Sequence, residues 1–137
     1  MAGLIVDASI TLSAVLPDEM SPRAKHAWEM VVAQGALVPS HWALEVANGL
    51  LVAQRRKRIS DVDRRETVSD LMSIPVAVDG RTIEMAWSDA TVLAVRHQLT
   101  CYDAAYLELA LRAGLPLATL DEDLFRAAKK EKAVLVT

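Results

Sequence analysis

The stretch Thr100–Phe125, TCYDAAYLELALRAGLPLATLDEDLF, decides the fold. It opens a helix on an acid, Asp103, closes that helix on Gly114, and enters a short apolar strand that ends on Asp121 and Asp123. A strand that ends on acids and a helix that begins on one place their carboxylates at the same edge of a parallel sheet, where strands finish and helices start. In open α/β folds that edge is where ligands bind. Working outward from it, the question is which other acids reach the same edge.

The same grammar repeats along the chain. Gly3 to Val6 is a β-branched apolar run ending at Asp7, which reads as a buried parallel strand. The helical segment after it stops at Pro17. Ser21-Pro22 starts a helix that runs to Gln34 and is capped by Gly35. Ala36 to Val38 is a second strand. Trp42 to Arg58 is helical, with Leu44, Ala47, Leu50 and Leu51 on its apolar face, Glu45 in its first turn, and cations from Arg55 to Arg58 at its end. Ser60 to Asp63 is a capping box. Val76 to Val78 is a third strand. Thr82 to Gln98 reads as one helix with Ile83, Ala86, Val92, Leu93 and Val95 inward, and Ala133 to Val136 as a last strand. Alternating strands and helices predict an α/β fold of three layers, α/β/α, around a short, mainly parallel sheet.

At 137 residues the chain, 1–137, is expected to form a single domain with one core. Its apolar fraction of 53% leaves some surface for a subunit interface. No run of about 18 apolar residues is present to span a membrane. MAGLIVDAS lacks the basic start of a signal peptide, and the single cysteine, Cys101, fits a reducing compartment, so the expected location is cytoplasmic. A net charge of −3 argues against general coating of nucleic acid, but clustered acids that hold a metal contribute to that count.

Asp7, Glu45, Asp103 and Asp121 sit in apolar surroundings at the predicted edge. Brought together, such carboxylates repel, and a hard divalent cation with oxygen ligands, Mg²⁺ or Mn²⁺, resolves the repulsion. Three of the four also have a plain structural reading: Thr100 and Asp103 form a capping pattern, Asp121 suits an N-cap, and Glu45 suits a helix dipole, whereas Asp7, a carboxylate ending a buried strand, needs partners. The run from Arg55 to Arg58, with Arg64 and Arg65, fits either a solvated helix end or a track for an RNA backbone. Trp28, Trp42 and Trp87 fit apolar helix faces. His26, His41 and His97 have no paired spacing for Zn²⁺.

Leu4 to Ser9, Leu44 to Asn48, Tyr102 to Leu107 and Thr119 to Asp123 together resemble the PIN-domain ribonucleases. In length and motif order the chain is similar to the VapC-type toxins of toxin–antitoxin pairs. The resemblance implies a PIN-like fold and a Mg²⁺-dependent endoribonuclease hydrolysing RNA, with Asp7, Glu45, Asp103 and Asp121 as its catalytic acids. Asp7, Asp103 and Asp121 would hold the metal while Glu45 orients or deprotonates the water. Asp123 matches a further variable acid, and Ser9 and Thr119 match small hydroxyl positions. An antitoxin partner and a homodimer are implied too. Leu124 departs from the pattern, since an aromatic commonly follows the last acid and here Phe125 comes one residue later. Two other readings stand beside it: a PIN-like scaffold that binds RNA or protein without cutting, and phosphotransfer at a strand-end Asp.

Overall fold

A computed structural model describes residues 2–137. Within them, strands β1 (Leu4–Val6), β2 (Ala36–Val38), β3 (Val76–Val78) and β4 (Leu117–Ala118) form one parallel sheet. The helices are α1 (Ala8–Val15), α2 (Pro22–Gln34), α3 (Trp42–Arg55), α4 (Asp61–Met72), α5 (Thr82–Ala86), α6 (Asp89–His97), α7 (Cys101–Ala113) and α8 (Glu122–Lys130). Leu4, Ile5 and Val6 are all fully buried, so successive side chains on opposite faces of β1 are both covered, as a three-layer α/β/α arrangement requires.

The strand order is β3-β2-β1-β4. The chain moves outward from β1 through β2 to β3, then returns to place β4 on the other side of β1. The boundary between β1 and β4 is therefore the switch point of the sheet, where helices leave in opposite directions and open a crevice. Asp7 follows β1 directly, and Thr119 to Asp121 follow β4.

Local chemistry fixes most element ends. Ser21 accepts from the Ala24 N–H ahead of Pro22, and Gly35 at φ 78° closes α2. Gly114, at φ 66°, closes α7. Gly49 matters for another reason: a Cβ there would lie 2.4 Å from a Leu12 methyl, so its absence lets α3 approach α1.

Three expectations are corrected. The segment 82–98 is two helices, broken at Trp87 and Ser88, and Ile83, Val92 and Val95 face outward while Met85, Ala90, Leu93 and Ala94 are buried. In α3 the buried stripe is Trp42, Val46, Leu50 and Ala53, and Leu44 is 75% exposed. The last strand is a single parallel bridge from Leu135 to Leu117, because only Val134 and Val136 exchange backbone bonds with Leu117. The aromatic expected after the final acid is replaced in packing by Leu124, which is fully buried, while Phe125 carries the Arg23 guanidinium 4.6 Å above its ring.

Candidate active site

Asp7, Glu45, Asp103 and Asp121 line one cavity of about 360 Å³, with Ser9, Leu12, Asn48 and Tyr106 among its other walls. The acids come from four separate places: the ends of β1 and β4, and the first turns of α3 and α7. All lie on the edge where strands end, which is why residues more than a hundred positions apart share a wall.

Asp7 is the anchor. It is 4% exposed and caps α1. Its Oδ1 accepts from Ser9 Oγ at 2.6 Å and from the Ile10 N–H at 3.0 Å, and its Oδ2 accepts from Thr119 Oγ1. Burial pushes its carboxyl up to about 6 despite those bonds, and the Asp103 charge adds to the rise. Ser9 and Thr119 do more than orient Asp7. The Leu120 N–H donates to Ser9 Oγ at 2.9 Å and the Asp121 N–H donates to Thr119 Oγ1 at 3.0 Å, so the two hydroxyls tie the ends of β1 and β4 together.

The other acids differ in how far they are committed. Asp121 caps α8, with Oδ1 accepting from the Leu124 N–H at 2.8 Å. The Asp103 N–H donates a cap bond to Thr100 Oγ1 at 3.1 Å, but the Asp103 carboxylate does not reach back to the Thr100 backbone. The Ser60–Asp63 pair, with the same spacing, makes both bonds of a capping box. The Asp103 carboxylate lines the cavity beside the Thr100 hydroxyl, and partial burial, then the charges of Asp121 and Glu45, hold it above the usual range. Glu45 Oε1 accepts from the Tyr106 hydroxyl at 2.5 Å and stands 3.6 Å from His41 Nε2. Asp123 lies outside the cavity, exposed and paired with Arg126 at 3.0 Å.

The sequence reading missed Tyr106, Asn48 and His41 as neighbours of the acids. Tyr106 follows Asp103 by one helical turn and Asn48 follows Glu45 by one, a spacing that puts each pair on a common face. His41 packs edge-on against Tyr102 and Tyr106, and its Nε2 lies 3.0 Å from the Tyr102 carbonyl oxygen. A fifth acid at the same edge, Asp79 after β3, is taken out of play by Arg112, which donates to it at 2.6 and 3.1 Å.

Over residues 4–130 the chain matches the model of the PIN domain. The chain belongs to the PIN-domain family. This PIN domain is 34% identical to Ribonuclease VapC3 of Pyrobaculum aerophilum over 121 residues, covering 88% of the chain and 91% of the relative. Its fold matches the crystal structure of FitAcB from Neisseria gonorrhoeae with a TM-score of 0.67 at 12% identity, covering 98% and 96% of the two chains. It matches VapC20 of Mycobacterium tuberculosis, described as a sarcin-ricin loop cleaving toxin, with a TM-score of 0.60 at 19% identity, covering 91% and 95%.

The donor set fits a hard divalent cation. Every carboxylate at the cavity offers oxygen donors, no lysine or arginine lines it, and both the burial and the neighbouring charges that raise Asp7 and Asp103 are what a cation would offset. Among the described residues no three acids, histidines or thiols are drawn together into a ready-made cage. Capping bonds to Asp7 and Asp121 and the Tyr106 bond to Glu45 hold the carboxylates apart against their own repulsion.

Proposed function

We propose that this PIN domain is a metal-dependent endoribonuclease and the toxin of a toxin–antitoxin pair, acting in the cytoplasm. The observation that carries the reading is the meeting of four carboxylates, from four parts of the chain, in one cavity at the switch point of the sheet. The relation to a protein named as a ribonuclease supports RNA as substrate.

In this reading Asp7, Asp103 and Asp121 would hold Mg²⁺ or Mn²⁺. When bound, such an ion would lower the pKa of a coordinated water and offset charge developing on the phosphodiester oxygens. Ser9 and Thr119 keep Asp7 in one rotamer through bonds to both of its oxygens. Glu45 has one oxygen committed to Tyr106, leaving the other to orient the attacking water and accept its proton. Asp121, fixed as the cap of α8 through one oxygen, leaves its second oxygen for the cavity. No covalent nucleophile is required, since phosphoryl transfer depends on positioning and electrostatics.

Two partners complete the proposal. An antitoxin would cover the acids with an Arg side chain, because a guanidinium pairs with carboxylates in bidentate fashion. A homodimer would use the outward apolar residues of α5 and α6. Replacing Asp7 by Asn is expected to abolish Mg²⁺-dependent cleavage of RNA while circular dichroism remains that of the folded chain. Full retained activity would sink the assignment.

A further inference from the structure

The acid cavity does not end at the acids. A second cavity of about 400 Å³ shares Ser9, Leu12 and Gly49 with it and continues along Ser13 and Leu16 to Arg58. Ser9, Leu12, Ser13 and Leu16 follow one another at helical spacing, so one face of α1 forms a continuous wall. On the other side stand Glu45, Asn48 and Gly49, one face of α3. Gly49 lets α3 come close enough to α1 for Leu12 to pack against its backbone, and this contact forms the floor at the junction of the two cavities. The two cavities adjoin along α1, whose eight residues span about 12 Å, and together they mark out a trough between α1 and α3.

Arg58 is brought to the far end by the way α3 finishes. Lys57 adopts the left-handed conformation, φ 61°, and the Arg58 N–H returns to the Ala53 carbonyl at 2.9 Å. This turn folds Arg58 back beside the helix with its side chain 30% exposed, and Arg55, Arg56 and Lys57, also at the surface, make no ion pair among the described residues. Arg58 meets Asp18 at 2.5 Å and Glu19 at 3.3 Å, carboxylates that are 63% and 43% exposed. Ion pairs so exposed are weak and easily exchanged.

We propose that the trough between α1 and α3 binds the phosphate backbone of single-stranded RNA, with Arg58 receiving a phosphate some nucleotides from the cleaved bond. Asp18 and Glu19 stand in for that phosphate in the free protein and are displaced by it. Arg55, Arg56 and Lys57 extend the positive surface beyond the trough. The proposal rests on the ribonuclease reading for the direction of the strand, but its binding test does not depend on cleavage.

The test measures anisotropy of a labelled single-stranded oligoribonucleotide with the full chain, in chelator so that no cleavage occurs, across a salt series. Arg58→Gln is expected to weaken binding severalfold and to lower the slope of log affinity against log salt by about 0.7, the value for one phosphate contact on a single strand. The double variant Asp18→Asn, Glu19→Gln should tighten binding, a direction that partial unfolding cannot imitate. Unchanged affinity and slope for Arg58→Gln, or both variants shifting affinity the same way, would overturn the proposal. So would an effect of Arg58→Gln confined to capture of a protein partner. Arg58-dependent binding without any cleavage on adding Mg²⁺ leaves the trough standing and rejects the nuclease reading alone. Cleavage with unaltered binding by Arg58→Gln rejects the trough alone.

Discussion

At the scale of a residue, Asp7 shows what a site costs the fold that carries it. Its carboxyl lies near 6 when folded against 3.8 when free, with burial as the largest cause. Because the folded value is the higher one, the folded state prefers the neutral acid. The contribution to stability is therefore most favourable below the free value, falls as pH rises from about 4 to about 6, and stays low above that. A shift of about 2 pH units corresponds to about 3 kcal/mol. Asp7→Asn removes the charge, can still accept from Ser9 and Ile10, and can donate to Thr119. In metal-free protein its stability by urea unfolding should exceed that of the unaltered chain by up to about 3 kcal/mol at neutral pH. The gap should close as pH falls below 4, and Mg²⁺ should stabilise only the chain with Asp7. A gap independent of pH would show that the charge is not what strains the fold. Asp7 was legible because an acid closing a buried strand needs partners. Tyr106 was not, because its bond to Glu45 joins positions 61 apart and nothing local marks it.

At the scale of the element, the same sequence signal produced opposite outcomes. Ser60 to Asp63 and Thr100 to Asp103 share their spacing, yet only the first pair closes both capping bonds. Helix starts were readable from such patterns, whereas the fate of the third-position acid depended on what packs over it. The break between α5 and α6 was hidden for a related reason. No proline or glycine marks it, Ser88 makes no side-chain cap bond, and the inward face is set by contacts with α7. Helix α7 is fastened to the edge strand by one ion group: Arg112 donates to Glu108 at 2.7 Å and to Asp79 at 2.6 Å, and those acids' side chains are 5% and 9% exposed. Replacing Arg112 by Ala leaves Glu108 without its cation and Asp79 with only the Arg81 N–H and charge, which is expected to cost about 3 kcal/mol. The Arg112 guanidinium holds Asp79 below its usual range, so this stabilisation is present above the free carboxylate value and is lost as pH falls through the lower, folded one. Urea unfolding of the unaltered and Arg112→Ala chains should therefore converge on acidification. Parallel curves would mean that Arg112 acts through packing alone.

At the scale of the whole molecule, the positions of all four strands were legible, but their order was not. Short apolar runs give no local sign of which neighbours they will choose, and the switch point exists only once β4 has paired with β1 rather than β3. Apolar periodicity failed most usefully where it marked Ile83, Val92 and Val95 as core. These residues are 73%, 53% and 75% exposed, and Trp87 beside them is 84% exposed. Four large apolar side chains on two adjacent helices of a small domain have no reason to face water unless another surface covers them. The proposed homodimer supplies that surface, and it explains why a sequence reading for burial selected residues that the single chain leaves open. Trp87→Glu is then expected to convert a dimer into a monomer in sedimentation velocity over a range of concentration. Raised salt should not restore the monomer in the unaltered chain, because apolar association is not screened. The melting temperature of the monomeric variant at low concentration should match that of the unaltered chain under the same conditions, since Trp87 contributes little to its own core. If Trp87→Glu sediments as the unaltered chain does, the outward face of α5 and α6 is not the dimer contact.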